Sequence, residues 1–384
     1  MNNKNVYLIA VVIIIFHCWL GETPALKDVF SLIRIPILTI IVLLFGVEMI
    51  QLRYDASKLF IHIAVITLAL YSSLQISNMW MLYSALIILF SERHKEEEII
   101  KTILITMGAL FLFNIVSFTY YYFYSPQSLL IVADTNRIRY ALEFASPNEA
   151  ARFWVYLTFL WYFLRDKIGY YEWMIIFFIT GIIYYLTDSE ALFYILFLPL
   201  ITLLYKSIYF KKIISNFSRY SFALLAVLTW YLITHMSALI YLIDAWLFTG
   251  RLRLSELALQ QYGYTLLGQK IETFVHIGGA RNYSFLVVDN AYAYFLISYG
   301  IVFLAIVSFL FIAARVERKD YRVGAMFLLY AAFGLAENNI IEPSAVFPVI
   351  LAYKRNPFVI KHYVSTLLPN SSSISKQTHK NNLK

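Results

Sequence analysis

The sequence predicts an all-α polytopic integral membrane protein with about 12 transmembrane helices and one long outer loop between spans 9 and 10. Three observations predict it. Of 384 residues, 61% are apolar and only 14% charged, where soluble domains are about half apolar and a quarter charged. The mean hydropathy is +0.68. The charges are gathered in short clusters between long apolar runs. The runs fall at 5–20, 29–50, 59–75, 77–91, 102–124, 148–164, 172–187, 190–205, 221–243, 290–314, 323–337 and 342–353. In lipid every backbone polar group must be paired within the segment, so each run is expected to be a helix. None alternates polar and apolar residues as a transmembrane strand does. The composition excludes a disordered chain, a disulfide-stapled module and a nucleic-acid-binding domain. The single Cys18 allows no internal disulfide.

The first run follows Lys4, as a signal peptide would, but Trp19-Leu20-Gly21-Glu22 makes a poor cleavage site. It is expected to be a retained span. An even number of spans puts both termini on one side, and Lys and Arg choose the side. With the N-terminus in the cytoplasm, only Lys27, Arg34, Arg137, Arg139, Arg152, Arg251, Arg253, Lys270 and Arg281 of the chain's 31 Lys and Arg fall outside. The expected location is the cytoplasmic membrane, with both termini cytoplasmic. The outer cations are mostly Arg, whose planar fork grips carboxylate or phosphate. They hold loops by pairing with outer carboxylates, or they form an anion site.

Residues 1–356 are expected to form one transmembrane domain, and 357–384 a disordered cytoplasmic tail. Two outer loops are long, 125–147 and 244–289, and a long loop in a compact fold is usually functional. In the first, Ser146-Pro147-Asn148-Glu149 is a capping box that starts the sixth span. Arg152 then lies one turn inside, on the side of Asn148. It either pairs with Glu149 or, with the free N–H groups, faces an anion. In the second, 251–262 is expected as a short surface helix with Arg251 and Ser255 on one face. A cation in a first turn opposes the helix dipole and is sensible if an anion binds there. Gly278-Gly279 permits a tight turn, with Arg281 close behind. Asp289 stands at the mouth of the tenth span, as a helix cap or as a chemical group. Glu337, Asn338, Asn339 and Glu342 need partners near the bilayer, and the outer arginines are the obvious ones. His17, His62 and His235 lie in separate runs without metal-ligand spacing, and no nucleotide-hydrolysis or nucleophile-elbow motif is present. No metal site and no cofactor are expected, and no nucleic-acid partner.

Four segments in order resemble bacterial polysaccharide polymerases of the O-antigen and capsule (Wzy) type. Arg139-Tyr-Ala-Leu-Glu-Phe-Ala-Ser-Pro147-Asn148 is similar to their "R…GF…hPN" stretch, and Leu186-Thr187-Asp188-Ser189 to their "LTxSR" corner. Gly250-Arg251 opens the large loop as "sGR" does. Asp289-Asn290-Ala-Tyr292 through Tyr299-Gly300-Ile301 is similar to "DNxYlxlLxxyGi". The likeness covers roughly 135–345. Glu190 stands where the corner usually has Arg, and Glu143-Phe144 where Gly-Phe is usual.

The resemblance implies a metal-independent glycosyltransferase of capsule, O-antigen or exopolysaccharide biosynthesis. It would move a growing glycan from undecaprenyl pyrophosphate to the next lipid-linked oligosaccharide repeat unit at the outer membrane face. The partners implied are that lipid-linked oligosaccharide, membrane lipid, and the flippase and chain-length regulator of the same pathway. A lipid pyrophosphate leaving group needs cations where charge develops. Arg251 and Arg281 are the first candidates, with Arg139, Arg152, Arg253 and Asn148 as further pyrophosphate contacts. Asp289 is the candidate for orienting or deprotonating the acceptor hydroxyl, with Glu337 second. An O-antigen ligase-like transferase is the first alternative; those enzymes carry His where this chain has Asp289. A lipid-linked glycan transporter or flippase is the second.

Overall fold

Most of the long apolar runs become single helices. In the computed structural model, the chain is described over residues 5–51, 56–125, 131–134, 137–165, 167–204, 207–245, 250–271, 274–276, 283–285, 288–317 and 320–357. The helices are α1 (Asn5–Glu22), α2 (Lys27–Gln51), α3 (Ala56–Ile76), α4 (Trp80–Phe90), α5 (Glu96–Tyr124), α6 (Pro147–Leu164), α7 (Tyr170–Thr187), α8 (Phe197–Leu204), α9 (Ile208–Thr234), α10 (Ala238–Ile243), α11 (Arg251–Tyr262), α12 (Ala291–Tyr294), α13 (Ile301–Ala313), α14 (Tyr321–Phe333) and α15 (Phe347–Lys354). A 3₁₀ segment over Glu190–Leu196 leads into α8. Among the described residues, 6 helices are long and apolar enough to cross a membrane: α1, Pro24–Ile50 (α2 with the 3₁₀ turn before it), α3, α5, α7 and Tyr209–Thr234 of α9. Shorter apolar helices run over Glu190–Leu204, Ile301–Ala313 and Tyr321–Phe333. The expected Gly278-Gly279 turn, Arg281 and the tail from 358 lie outside the described residues.

The helices pack along a few main seams, α9 on α14, α1 on α2 and α5, and α5 on α6. Phe222 of α9, Phe311 of α13 and Tyr330 of α14 form one cluster of near-parallel rings, with centroids 5.2, 5.8 and 6.1 Å apart. Such flat aromatic contact joins three helices through large buried surfaces. α2 and α3, by contrast, bury few of their side chains, as a lipid-facing helix does.

The structure corrects the expected layout in three places. The run 221–243 is not one helix: α9 ends at Thr234, and Ser237 caps the separate α10 by accepting from the Ile240 N–H. The second is an addition: the fold is all-α as expected, and each of the two long loops also carries a small antiparallel hairpin. In the first, β1 (Ile131–Asp134) pairs with β2 (Arg137–Tyr140); in the second, β3 (Phe274–His276) pairs with β4 (Tyr283–Phe285). These connections bend the chain back sharply, and paired short strands satisfy backbone groups that an irregular loop would leave open.

The third correction concerns 290–314, which is broken. After α12 the chain makes a π-turn over Phe295–Tyr299, and Gly300 takes φ +110° before α13 begins. The freed backbone groups bond to the large loop. Thr265 and Gln269 N–H donate to the Leu296 and Ser298 carbonyls at 3.1 and 2.9 Å. Ile301 and Val302 N–H donate back to Thr265 and Leu266 at 2.9 and 3.2 Å. The Gln269 side-chain amide adds a bond to the Ile297 carbonyl at 2.8 Å. Non-helical backbone at such depth is tolerated only when buried in protein. A Cβ on Gly300 would sit 2.4 Å from the Leu266 carbonyl oxygen, against backbone that cannot yield. Gly300→Ala is expected to abolish the folded protein in detergent, whereas Gly181→Ala, which meets nothing within 4 Å, should purify normally by size-exclusion chromatography. Equal yields of the two would show that the seam is not structural.

Polar residues collect at two ends of the bundle. α1 runs from Tyr7, stacked on His94 at 4.4 Å, to Glu22, roughly 22 Å further on at 1.5 Å per residue. At the Tyr7 end, Lys58 and the Tyr353 hydroxyl both bind Glu92. Arg355 there bridges Asp320 at 2.7 Å and Glu96 at 3.0 Å. The Glu22 end carries the residues discussed next.

Candidate functional site

The start of α6 is built as its capping box requires. Ser146 accepts from the Glu149 N–H at 3.2 Å, with Pro147 at the first helical position. Arg139 reaches it from β2, donating Nε to the Thr187 carbonyl at 2.7 Å and a terminal nitrogen to Asn148 Oδ1 at 2.6 Å. Two segments distant in sequence, 139–148 and 186–189, thus meet at one corner. Arg139 and Asn148 spend these contacts on each other and on the end of α7. The turn before the helix places Leu142 and Glu143 at φ +50° and +64°, in the left-handed region that favours glycine. The departure at Glu143 therefore falls where glycine is the unstrained residue. Left-handed backbone costs a side chain about 1–2 kcal/mol, and glycine's extra entropy returns part of that. Glu143→Gly is expected to raise stability by roughly 0.5–1 kcal/mol, while Glu143→Ala gains nothing. A thermal melt of the three proteins in one detergent checks it.

One turn into α6, Arg152 is only 5% exposed. It does not look outward to an anion, nor is Glu149 its nearest carboxylate. It lies 3.6 Å from Glu337 and 3.5 Å from Glu342, which are 4% and 2% exposed. With its amide oxygen turned to Arg152, Asn339 accepts from both terminal nitrogens at 2.7 and 2.9 Å. Glu149 and Glu22 stand in electrostatic range, and Glu22 meets Glu342 directly. A single guanidinium thus serves as the common counter-charge of a buried carboxyl cluster. Removal from water dominates there. Burial, with the Asp289 charge adding to it, raises the Glu337 carboxyl to about 7, although Arg152 and Arg251 oppose. Burial likewise raises Glu342 against the pull of Arg152.

Beside this cluster lies a second pair. Arg251, the first residue of α11, places Nε 3.7 Å from Asp289 Oδ2, and both side chains keep partial contact with the exterior, 14% and 29% exposed. Burial raises the Asp289 carboxyl, opposed by Arg251 and then Arg152. Asp289 is not the cap of the following helix; Asn290 is, accepting from the Ala293 N–H at 3.0 Å. The Asp289 carboxylate is thereby left for other work. Its backbone is strapped to the chain after α14. Asn338 donates to the Val288 carbonyl at 2.7 Å, Asn290 to Leu335 at 3.2 Å, and Ala291 N–H to Gly334 at 2.8 Å. These bonds bring Asp289 and Glu337 together.

The anion expected at the N-terminus of α11 is internal. Asp244, buried, accepts from the Leu252 and Arg253 N–H groups, each at 2.9 Å, and so satisfies the helix dipole itself. Arg253 is exposed on the far side. Ser255 does lie under Arg251, donating to its carbonyl at 2.8 Å.

Of the expected site residues, the structure therefore brings together Arg251, Asp289, Glu337 and Arg152. Arg139 and Asn148 form a separate corner, and Arg253 stands apart. Sequence reasoning missed Glu22 and Asp244. An acidic residue at the edge of an apolar run was their available signal, since such a residue is costly there without a purpose.

Fold and site define a helical membrane protein with a buried carboxyl–guanidinium cluster at one end and an accessible Arg–Asp pair beside it. No protein-family model, no curated protein and no solved structure matches the chain.

Proposed function

We propose that the chain is a membrane polysaccharide polymerase that transfers a growing glycan from undecaprenyl pyrophosphate to a lipid-linked oligosaccharide repeat unit. The observation that carries this reading is the Arg251–Asp289 pair beside Glu337. A cation and a carboxylate at one partly open place suit the two needs of the reaction. Arg251 would hold the pyrophosphate as negative charge develops on the leaving oxygen. Asp289 would take the proton of the attacking sugar hydroxyl. Glu337, held near neutrality, stands behind as a reservoir for that proton. In this reading Arg152 is a positioning residue, fixing Glu337 and Glu342 rather than touching substrate. On the same reading the apolar runs, with α12–α13 as one interrupted span, cross the membrane an even number of times, and the Lys and Arg bias sets their orientation. Both termini are then cytoplasmic and the site lies on the outer face.

The test is turnover of undecaprenyl-pyrophosphate-linked repeat units by the purified protein in liposomes, read as a ladder of glycan lengths. Arg251→Lys should keep the protein inserted and cut long polymer at least tenfold, because an ammonium cannot replace the planar fork. Long polymer at the normal rate from that variant removes the clamp role. A ligase-like transferase would give one addition and no ladder. The transporter reading draws on the helix break at Gly300, a common feature of transport sites. It predicts movement of the labelled lipid across the liposome with no change in glycan length.

A further inference from the structure

A cavity of about 300 Å³ opens between α1, the start of α2 and the turn joining α3 to α4. Glu22 is one of its walls, and none of Arg152, Arg251 and Asp289 lines it. Its polar walls are Arg34, His17, Asn78 and Glu22, and its aromatic walls Phe30, Trp80 and Tyr83. Two of these side chains are more than nine-tenths buried and incompletely bonded. His17 is 5% exposed and its Nε2 has no hydrogen-bond partner; Glu22 is 8% exposed and its Oε1 has none.

Three of the lining side chains supply donors. His17 Nδ1 lies 3.3 Å from the Tyr83 hydroxyl. With that hydroxyl donating, the neutral ring carries its proton on Nε2, a buried donor without a partner on a residue that lines the cavity. Asn78 accepts from the Trp80 N–H through Oδ1 at 2.9 Å, so its NH₂ remains a donor. Arg34 is exposed, and no hydrogen bond or ion pair to it occurs among the described residues. It lines the same cavity as His17 and Tyr83. Only Glu22 brings negative charge, and it is shared with Glu342 behind it.

The surroundings indicate from where a ligand arrives. Arg34 stands on α2, whose flank is apolar and open: Leu32 and Ile35 are among its most exposed side chains. It is two turns from the end of the helix, about 10 Å along the axis, a depth from which a long cationic side chain reaches the headgroup layer. Three nitrogen donors at an apolar flank suit a phosphate that stays attached to a lipid.

We propose that the cavity formed by Arg34, His17 and Asn78 binds the phosphate of an anionic lipid headgroup that enters sideways from the bilayer. The site is separate from the Arg251–Asp289 pair, and its existence does not depend on the transfer reaction.

The test uses full-length protein in mixed micelles, titrated with phosphatidylglycerol. Retained lipid is counted by native mass spectrometry, and the thermal midpoint is followed in parallel. Saturable binding is expected, weakened at least tenfold by Arg34→Gln and unchanged by Lys27→Gln, an exposed cation on the same helix outside the cavity. Asn78→Asp keeps the acceptor for the Trp80 N–H but turns a carboxylate on the phosphate, and it should weaken binding as much as Arg34→Gln. Equal weakening by Lys27→Gln would reduce the effect to general surface attraction and overturn the site. Full binding by Asn78→Asp would also overturn it. Inorganic phosphate that protects the protein as well as the lipid does, at equal concentration, would make this a site for a soluble anion and refute lateral entry.

Discussion

Asp289→Asn is expected to stop chain growth while leaving the fold intact. The substitution keeps shape and removes only the charge. Asn290, not Asp289, caps the helix that follows, and the backbone straps to Gly334, Leu335 and Asn338 use main-chain and neighbouring groups. The thermal midpoint should therefore move little. A positioned general base typically contributes 10²–10⁴-fold, so turnover of lipid-linked repeat units should fall by about that factor. Arg251, left without its counter-charge, should bind the pyrophosphate product at least as well as before. A large loss of turnover with unweakened product binding is the signature of a missing base. Undiminished turnover by the purified variant eliminates Asp289 from the chemistry and leaves Glu337 as the remaining carboxylate beside Arg251.

Arg152→Ala is expected to destabilise the protein strongly and in a pH-dependent way. It leaves Glu337, Glu342, Glu22 and Glu149 around an empty place, and breaking a buried ion pair from one side typically costs about 3–5 kcal/mol. The loss should depend on pH. Glu337 and Glu342 already hold protons more tightly than free carboxylates, and without the guanidinium they hold them more tightly still. Lowering the pH neutralises the cluster and removes the repulsion. The variant should therefore lie closest to the parent in melting temperature at pH 5 and furthest from it at pH 8. A gap independent of pH would mean that Arg152 acts through packing. Replacing Glu337 by Gln in the same chain should recover part of the stability at pH 8, since one uncompensated charge is then gone.

The comparison of Arg152 with Arg139 shows how far a sequence reading reaches. Both stand in a stretch whose helix start was legible, because Ser146, Pro147 and Glu149 are local signals acting within one turn. Their partners were not legible. Arg139 bonds to Thr187 and Arg152 to Glu337 and Glu342, residues that only the packing of α6 against α7 and the α14–α15 connection brings near. Charge balance had already required partners for Glu337 and Glu342 among the outer arginines; which arginine was a matter of three-dimensional arrangement. The surface helix at Arg251–Tyr262 was readable to its ends, since Gly250 and Gly263 flank it with positive φ. Its counter-ion Asp244 was hidden, because nothing in a linear chain shows that it folds back onto two N–H groups.

By itself the sequence determined the class of structure. Apolar runs too long and too numerous for a soluble core leave helices as the way to pair every backbone group, and the capping residues fix where most of them begin. Tertiary structure alone decided which charges meet. It broke one apolar run at Gly300 and sewed the large loop into the gap, and it buried Arg152 in carboxylates while leaving Arg251 beside Asp289 near the exterior. The physical reason is range. Hydrophobicity and capping act over a few residues and are written locally, whereas a buried charge is stabilised only by groups that packing carries to it from far along the chain.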